Sequence, residues 1–152
     1  MKKALTFAVL LVSFLVFGFS QKAPKEEKPS TPPSVKLDPG TVDFGDQVAK
    51  RRSKPQRVVV TNTGGQKLYI NSVVIDGDDK KDFTLMGDTC TGASIGSGKS
   101  CVIDVMFTPS ANEKRKAMIV ITDNAPTADS RQNVILIGNG INSVAVPPRD
   151  NQ

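Results

Sequence analysis

Cys90-Thr-Gly-Ala-Ser-Ile-Gly-Ser-Gly-Lys-Ser-Cys101-Val-Ile-Asp-Val-Met-Phe-Thr-Pro109 holds the only two cysteines in the 152-residue chain. The first half is a loop of small residues. The second half alternates Cys101, Ile103, Val105 and Phe107 on one face, the period-two pattern of a strand with one buried side. Cys90 and Cys101 are expected to form a disulfide that staples the loop to the head of this strand. The spacing is unlike that of a Cys-x-x-Cys redox pair, in which closeness lowers a thiol pKa. A structural bridge closing so short a loop stabilises a fold by roughly 3 kcal/mol.

Outward from this segment the chain reads as all-β. Short runs of Val, Ile and Thr are separated by Gly, Pro, Asn and Asp, and no window holds a helical period over three turns outside the first twenty residues. Short strands are expected near Val35–Leu37 and Val42–Phe44, on either side of the turn Asp38-Pro39-Gly40. Gln56–Asn62 follows, closed by Thr63-Gly64-Gly65. Leu68 and Ile70 lie on one phase and Val73 and Ile75 on the other, so one residue near Asn71 or Ser72 must bulge if all four face a core. Phe83–Leu85 precedes the cysteine loop, and Ala117, Ile119, Ile121 and Val134, Leu136 form the last alternating runs. About seven strands at spacings of roughly 8 to 15 residues fit a seven-stranded immunoglobulin-like β-sandwich spanning 35–141. A closed barrel is the alternative.

The flanks have other compositions. Residues 1–20 carry Lys2 and Lys3, an apolar run from Ala4 to Phe19 and small residues at Gly18 and Ser20, the layout of a secretory signal peptide. Phe19 and Gln21 make the cleavage site imperfect, so a retained membrane anchor stays open. Residues 21–34 form a Pro-rich linker with no apolar side chain larger than alanine before the domain, expected to be disordered and extended. Residues 142–152 are expected to be a disordered tail.

The formal charge is +5, or about +3 once two lysines leave with the leader, a mild bias that does not argue for nucleic acid. The chain has no histidine, which removes the usual general base, and two cysteines fall short of a zinc site. Export would place the thiols in an oxidising compartment.

Several motifs occur together in order: Asp43-Phe44-Gly45, Val58-Val59-Val60-Thr61-Asn62-Thr63-Gly64, Asp82-Phe83, Asp88-Thr89-Cys90, Gly98-Lys99-Ser100-Cys101, Val105-Met106-Phe107-Thr108-Pro109 and Leu136-Ile137-Gly138-Asn139-Gly140. In this order the chain resembles Hydin-like, or ASH-type, immunoglobulin-like domains, relatives of the major sperm protein fold that also occur in exported bacterial "choice-of-anchor D" proteins. The resemblance covers nearly all of Val35 to Ile141. It implies a seven-stranded sandwich that binds or scaffolds, with no catalytic residues to carry over. Two positions depart from the family pattern. Lys50 and Asn112 stand where such domains often have Gly, and Asn tolerates positive φ better than most residues.

The candidate contact for an anionic partner is the basic run Lys50, Arg51, Arg52, Lys54 and Arg57, for which a solvated loop is the plainer reading since no aromatics interleave it. Asp76, Asp78, Asp79 and Asp82 are candidate Ca2+ ligands, set against a solvated turn, because Lys80 and Lys81 sit among them and the EF-hand spacing is absent. Ser94, Ser97 and Ser100 near Lys99 lack an oriented base for nucleophilic chemistry. The expected protein is a secreted or periplasmic, non-enzymatic binding module of the cell envelope without cofactor, whose partner is a protein reached through sheet edges and loops. The alternative is a small ligand-binding protein that recognises an anionic glycan or a cation.

Overall fold

The computed structural model describes residues 30–127 and 129–143. The expected signal peptide, residues 21–29 of the linker and the tail beyond Ser143 lie outside the described residues. Among the described residues nine strands form two sheets: β1 Val35–Asp38, β2 Thr41–Val48, β3 Gln56–Asn62, β4 Leu68–Asp76, β5 Phe83–Asp88, β6 Ser94–Ile95, β7 Ser100–Phe107, β8 Lys114–Asp123 and β9 Arg131–Ile141. One sheet runs β1-β3-β7-β5 and the other β2-β9-β8-β4-β6. Every pairing is antiparallel except β2 with β9. The expected count of seven is therefore too low. The alternating runs read from the sequence account for every strand but β6, which has only two residues, too few to show a period; the turn at Asp38-Pro39-Gly40 passes the chain from one sheet to the other between two expected strands.

The side chains that face inward are those the alternation marks. Ile103, Val105 and Phe107 of β7 are buried, as are Val58 and Val60 of β3 and Ile119 and Ile121 of β8. Phe107 stacks on Phe83 at 4.8 Å between ring centroids, and Phe44 tilts against both, so three aromatic rings close one end of the core. The phase break in β4 is a bulge: its register against β8 shifts between Ile70 and Ser72, which lets Ile70 and Val73 both face inward. A second bulge lies between Asp43 and Asp46 in β2. There Gly45 takes φ +61, and its N–H donates to Asp43 Oδ1 at 2.8 Å. The Asp-Phe-Gly motif thus has a physical basis in a carboxylate cap, an inward ring and a residue free of the Cβ penalty at positive φ.

The end of the linker is held against the sandwich. The Gly65 and Gln66 N–H groups donate to Thr31 O at 3.0 and 2.9 Å, Thr63 N–H donates to Ser34 O at 2.8 Å, and Pro33 is buried. Residues 30–34 therefore belong with the domain, not with a free spacer. The anchor is Asn62. Wholly buried, it receives the Gly64 N–H on Oδ1 and donates from Nδ2 to Gln66 O and Ile95 O, so one amide ties β3, the following turn and β6 together.

Candidate functional site

The cysteine segment sets one end of the molecule. Cys90 and Cys101 are joined, with Cα atoms 5.2 Å apart. Cys101 starts β7 in the four-stranded sheet. Cys90 opens a loop whose Gly92 N–H donates to Ile70 O and whose Ala93 O accepts from Ile70 N–H, in β4 of the other sheet. The bridge therefore couples the two layers through that loop. Asp88 Oδ1 fixes the approach by accepting the N–H groups of Cys90 and Thr91 at 2.7 and 3.1 Å. Among the neighbouring hydroxyls, Ser100 Oγ is paired with Thr61 Oγ1 across β7 and β3.

The basic run divides in two. Arg57 pairs with Asp104, its partner in the β3–β7 register, through Nε to Oδ1 at 2.8 Å and Nη2 to Oδ2 at 3.0 Å. The hydrogen bond from Arg57 holds the Asp104 carboxyl below its ordinary pKa. Lys50, Arg51, Arg52 and Lys54 project from the loop after β2 and are exposed. Lys50 has φ 64, in the left-handed region that glycine adopts without strain. Asn112 does not share that conformation, since the other non-glycine residue at positive φ among those described is Ser130.

The four candidate calcium ligands are not gathered around a common point. Asp79 Oδ1 lies 2.8 Å from Arg115 Nη1 and Oδ2 accepts the Lys116 N–H, while Asp82 Oδ2 accepts the Ser110 N–H and lies 3.2 Å from Arg115 Nε. Asp76 faces Lys80 at 3.3 Å, and Asp78 is exposed. Among the described residues no group of three or more His, Cys, Asp or Glu could hold a metal ion. Arg115, also 2.8 Å from Glu113, does the gathering instead and fastens the 3-10 turn Lys80–Asp82 to β8. The sequence offered no sign of this cluster, because its members are some 30 residues apart and share no period.

Asp123 was also missed. It is 2% exposed, its Oδ1 caps the Ala125 N–H at 2.7 Å, and neither its Oδ2 nor the neighbouring Gln132 Nε2 has a partner among the described residues. Desolvation raises its pKa against the opposing pull of the Ala125 N–H. A raised acid binds its proton more tightly when folded, so this group's contribution to stability falls as pH climbs through the carboxylate range and beyond. Asp123→Asn keeps the Oδ1 cap and can donate to a Gln132 turned to offer its Oε1. It should gain about 1 kcal/mol near pH 8, a gain that fades as the pH drops towards about 4, measured by urea melts at both pH values.

Open grooves lie at the surface of the described residues, among them the three that follow. One, of about 460 Å³, lies over the β2 bulge beside Lys114, Lys116 and Asn139; one, of about 510 Å³, lies between Pro32, Gly64 and Pro126; and one, of about 680 Å³, lies under Lys50 and Arg52. The model of the HYDIN/CFA65/VesB-like Ig-like domain matches residues 33–138. The chain belongs to this family. The HYDIN/CFA65/VesB-like domain is similar in fold to the VesB protease of Vibrio cholerae, with a TM-score of 0.56 at 15% identity over 69% of this chain and 31% of that one. It is likewise similar to a protein of unknown function from Porphyromonas gingivalis W83, at 0.57 and 18% over 70% of this chain and 46% of that one. The periplasmic chaperone SfaE gives 0.51 and 15% over 76% and 61%. The ASH/PapD-like domain 7 of human CEP192 gives 0.50 and 12% over 93% of this chain and all of that one. The chain thus spans under half the length of the first two. No curated protein sequence matches it.

Proposed function

We propose that this HYDIN/CFA65/VesB-like domain is an exported, non-enzymatic module of the periplasm, cell surface or extracellular space that binds or scaffolds another protein. The observation that carries the reading is the arrangement of the four-stranded sheet, whose outer strands β1 and β5 each have a neighbour on one side only. An extended segment of a partner can add main-chain hydrogen bonds to such an edge. Export is supported by the leader composition and by a buried disulfide, which persists in oxidising compartments. The likeness to a periplasmic chaperone agrees with both points. VesB is a protease, but a fold likeness transfers no chemistry, and a chain without histidine lacks the residue most often used as general base.

Affinity capture from the envelope fraction with the full chain as bait tests this. A discrete protein partner in fixed ratio, with the bait beginning after Ser20, is the expected result. Recovery of polysaccharide alone, or of a bait found in the cytosol with its leader intact, would contradict it.

A further inference from the structure

The groove under Lys50 and Arg52 has a composition that the binding-module reading leaves unused. Its floor is Met106, which faces outward from β7 and is 6% exposed; its wall is Met86, 51% exposed where the register of β5 against β7 shifts. Lys50, Arg52 and Lys81 stand on its rim. Among the described residues the ion pairs are made by Arg57, Lys80 and Arg115, so these three cations have no carboxylate within 4.0 Å. The one acid in the lining, Asp82, is already turned to Ser110 and Arg115. An apolar floor therefore lies beneath an uncompensated positive rim.

The backbone beneath two of these cations is fixed in place. Lys50 N–H donates to Pro109 O at 2.7 Å, Ser53 N–H donates to Phe107 O at 2.8 Å, and Phe107 N–H donates to Ser53 Oγ at 3.0 Å, which clamps the basic loop to the end of β7. Within that clamp Lys50 holds φ 64, a conformation in which glycine would be unstrained. A strained residue that persists where its charge borders a groove points to use of that charge.

We propose that this groove binds an extended acidic segment of a partner protein, with carboxylates at Lys50, Arg52 and Lys81 and an apolar side chain resting on Met86 and Met106. Unpaired cations select an anion. The thioethers adapt to varied apolar side chains, whereas a sugar ring would find no aromatic face in the lining. The free edge of β5 lies alongside, so the bound backbone can run along it. The proposal rests on the protein-binding reading and adds the place and the charge of the partner.

The test is fluorescence anisotropy of a labelled (Glu-Leu)5 peptide with the full exported chain, with (Gln-Leu)5 and dextran sulfate as comparators. Saturable binding of the acidic peptide is expected, weakened about tenfold or more by combined Lys50→Gly, Arg52→Ser and Lys81→Ser and about tenfold by raising salt from about 50 to about 500 mM. Met86→Glu, which keeps the cationic rim, should also weaken it. The altered residues are exposed, so melting temperatures should hold, and Lys50→Gly alone should melt at or above the wild type. Equal binding by the triple variant, equal binding of the neutral peptide, or binding of dextran sulfate but not of the peptide overturns the proposal. A natural partner captured equally by wild type and triple variant would refute the groove while leaving the binding-module reading intact.

Discussion

Replacing Cys90 and Cys101 together by alanine should lower the free energy of unfolding by about 3 kcal/mol. The bridge joins residues 11 apart in sequence, and opening it frees a loop that is otherwise held on the β4 side by hydrogen bonds to Ile70. Both sulfurs lie in the core, so the replacement also removes packed volume. A domain of this size has only about 5 to 15 kcal/mol in all, so the urea midpoint should move far. Alkylation of the wild type under denaturing, non-reducing conditions should find no thiol. Labelling of both cysteines, or an unmoved midpoint in the double variant, would mean the two sheets hold together at this end without a covalent tie.

The second large effect lies at the opposite side of the core. Gly140→Ala would place a Cβ 1.9 Å from the Ala111 carbonyl oxygen and 2.9 Å from Pro109 Cβ, neither of which is a flexible side chain that can swing away. β9 cannot shift to relieve this, because it is hydrogen-bonded to β2 on one side and β8 on the other. Loss of about 3 kcal/mol is expected, at the upper end for overpacking. Gly96→Ala is the matched control. Its nearest neighbour would be Lys99 Cγ at 3.8 Å, so a change within about 0.5 kcal/mol is expected. Similar denaturation midpoints for the two variants would show that the close approach at Gly140 is not as described.

The first of these effects was legible in the sequence; the spatial reason for the second was not. Cys101, Ile103, Val105 and Phe107 announce a half-buried strand because their period is local, and the phase break between Ile70 and Val73 announces the bulge for the same reason. Gly138 and Gly140 could be read as an ending but not as contacts, since what they touch, Phe107 and Ala111, lies about 30 residues away. The Asn62 hub, the Arg115 cluster and the packing of Thr31–Ser34 on the Thr63–Gln66 turn escaped for that reason too: each is a meeting of segments with no shared pattern. Of the candidate site, Lys50 was visible as a cation in a glycine position, whereas its conjunction with Lys81 and Met86 required the fold. Arg57 stood in the same basic run, yet the β3–β7 register commits it to Asp104.

Contact along the margin and outer surface of the four-stranded sheet is the proposed way in which this sandwich works. Hydrogen exchange of the full chain, with and without the protein recovered by affinity capture, reads that margin directly. Slowed exchange confined to β5, the loop from Lys50 to Lys54 and the adjoining turn at Lys80–Asp82 is the result the account predicts. Protection on the face of the β2-β9-β8-β4-β6 sheet alone, or none anywhere, would contradict it.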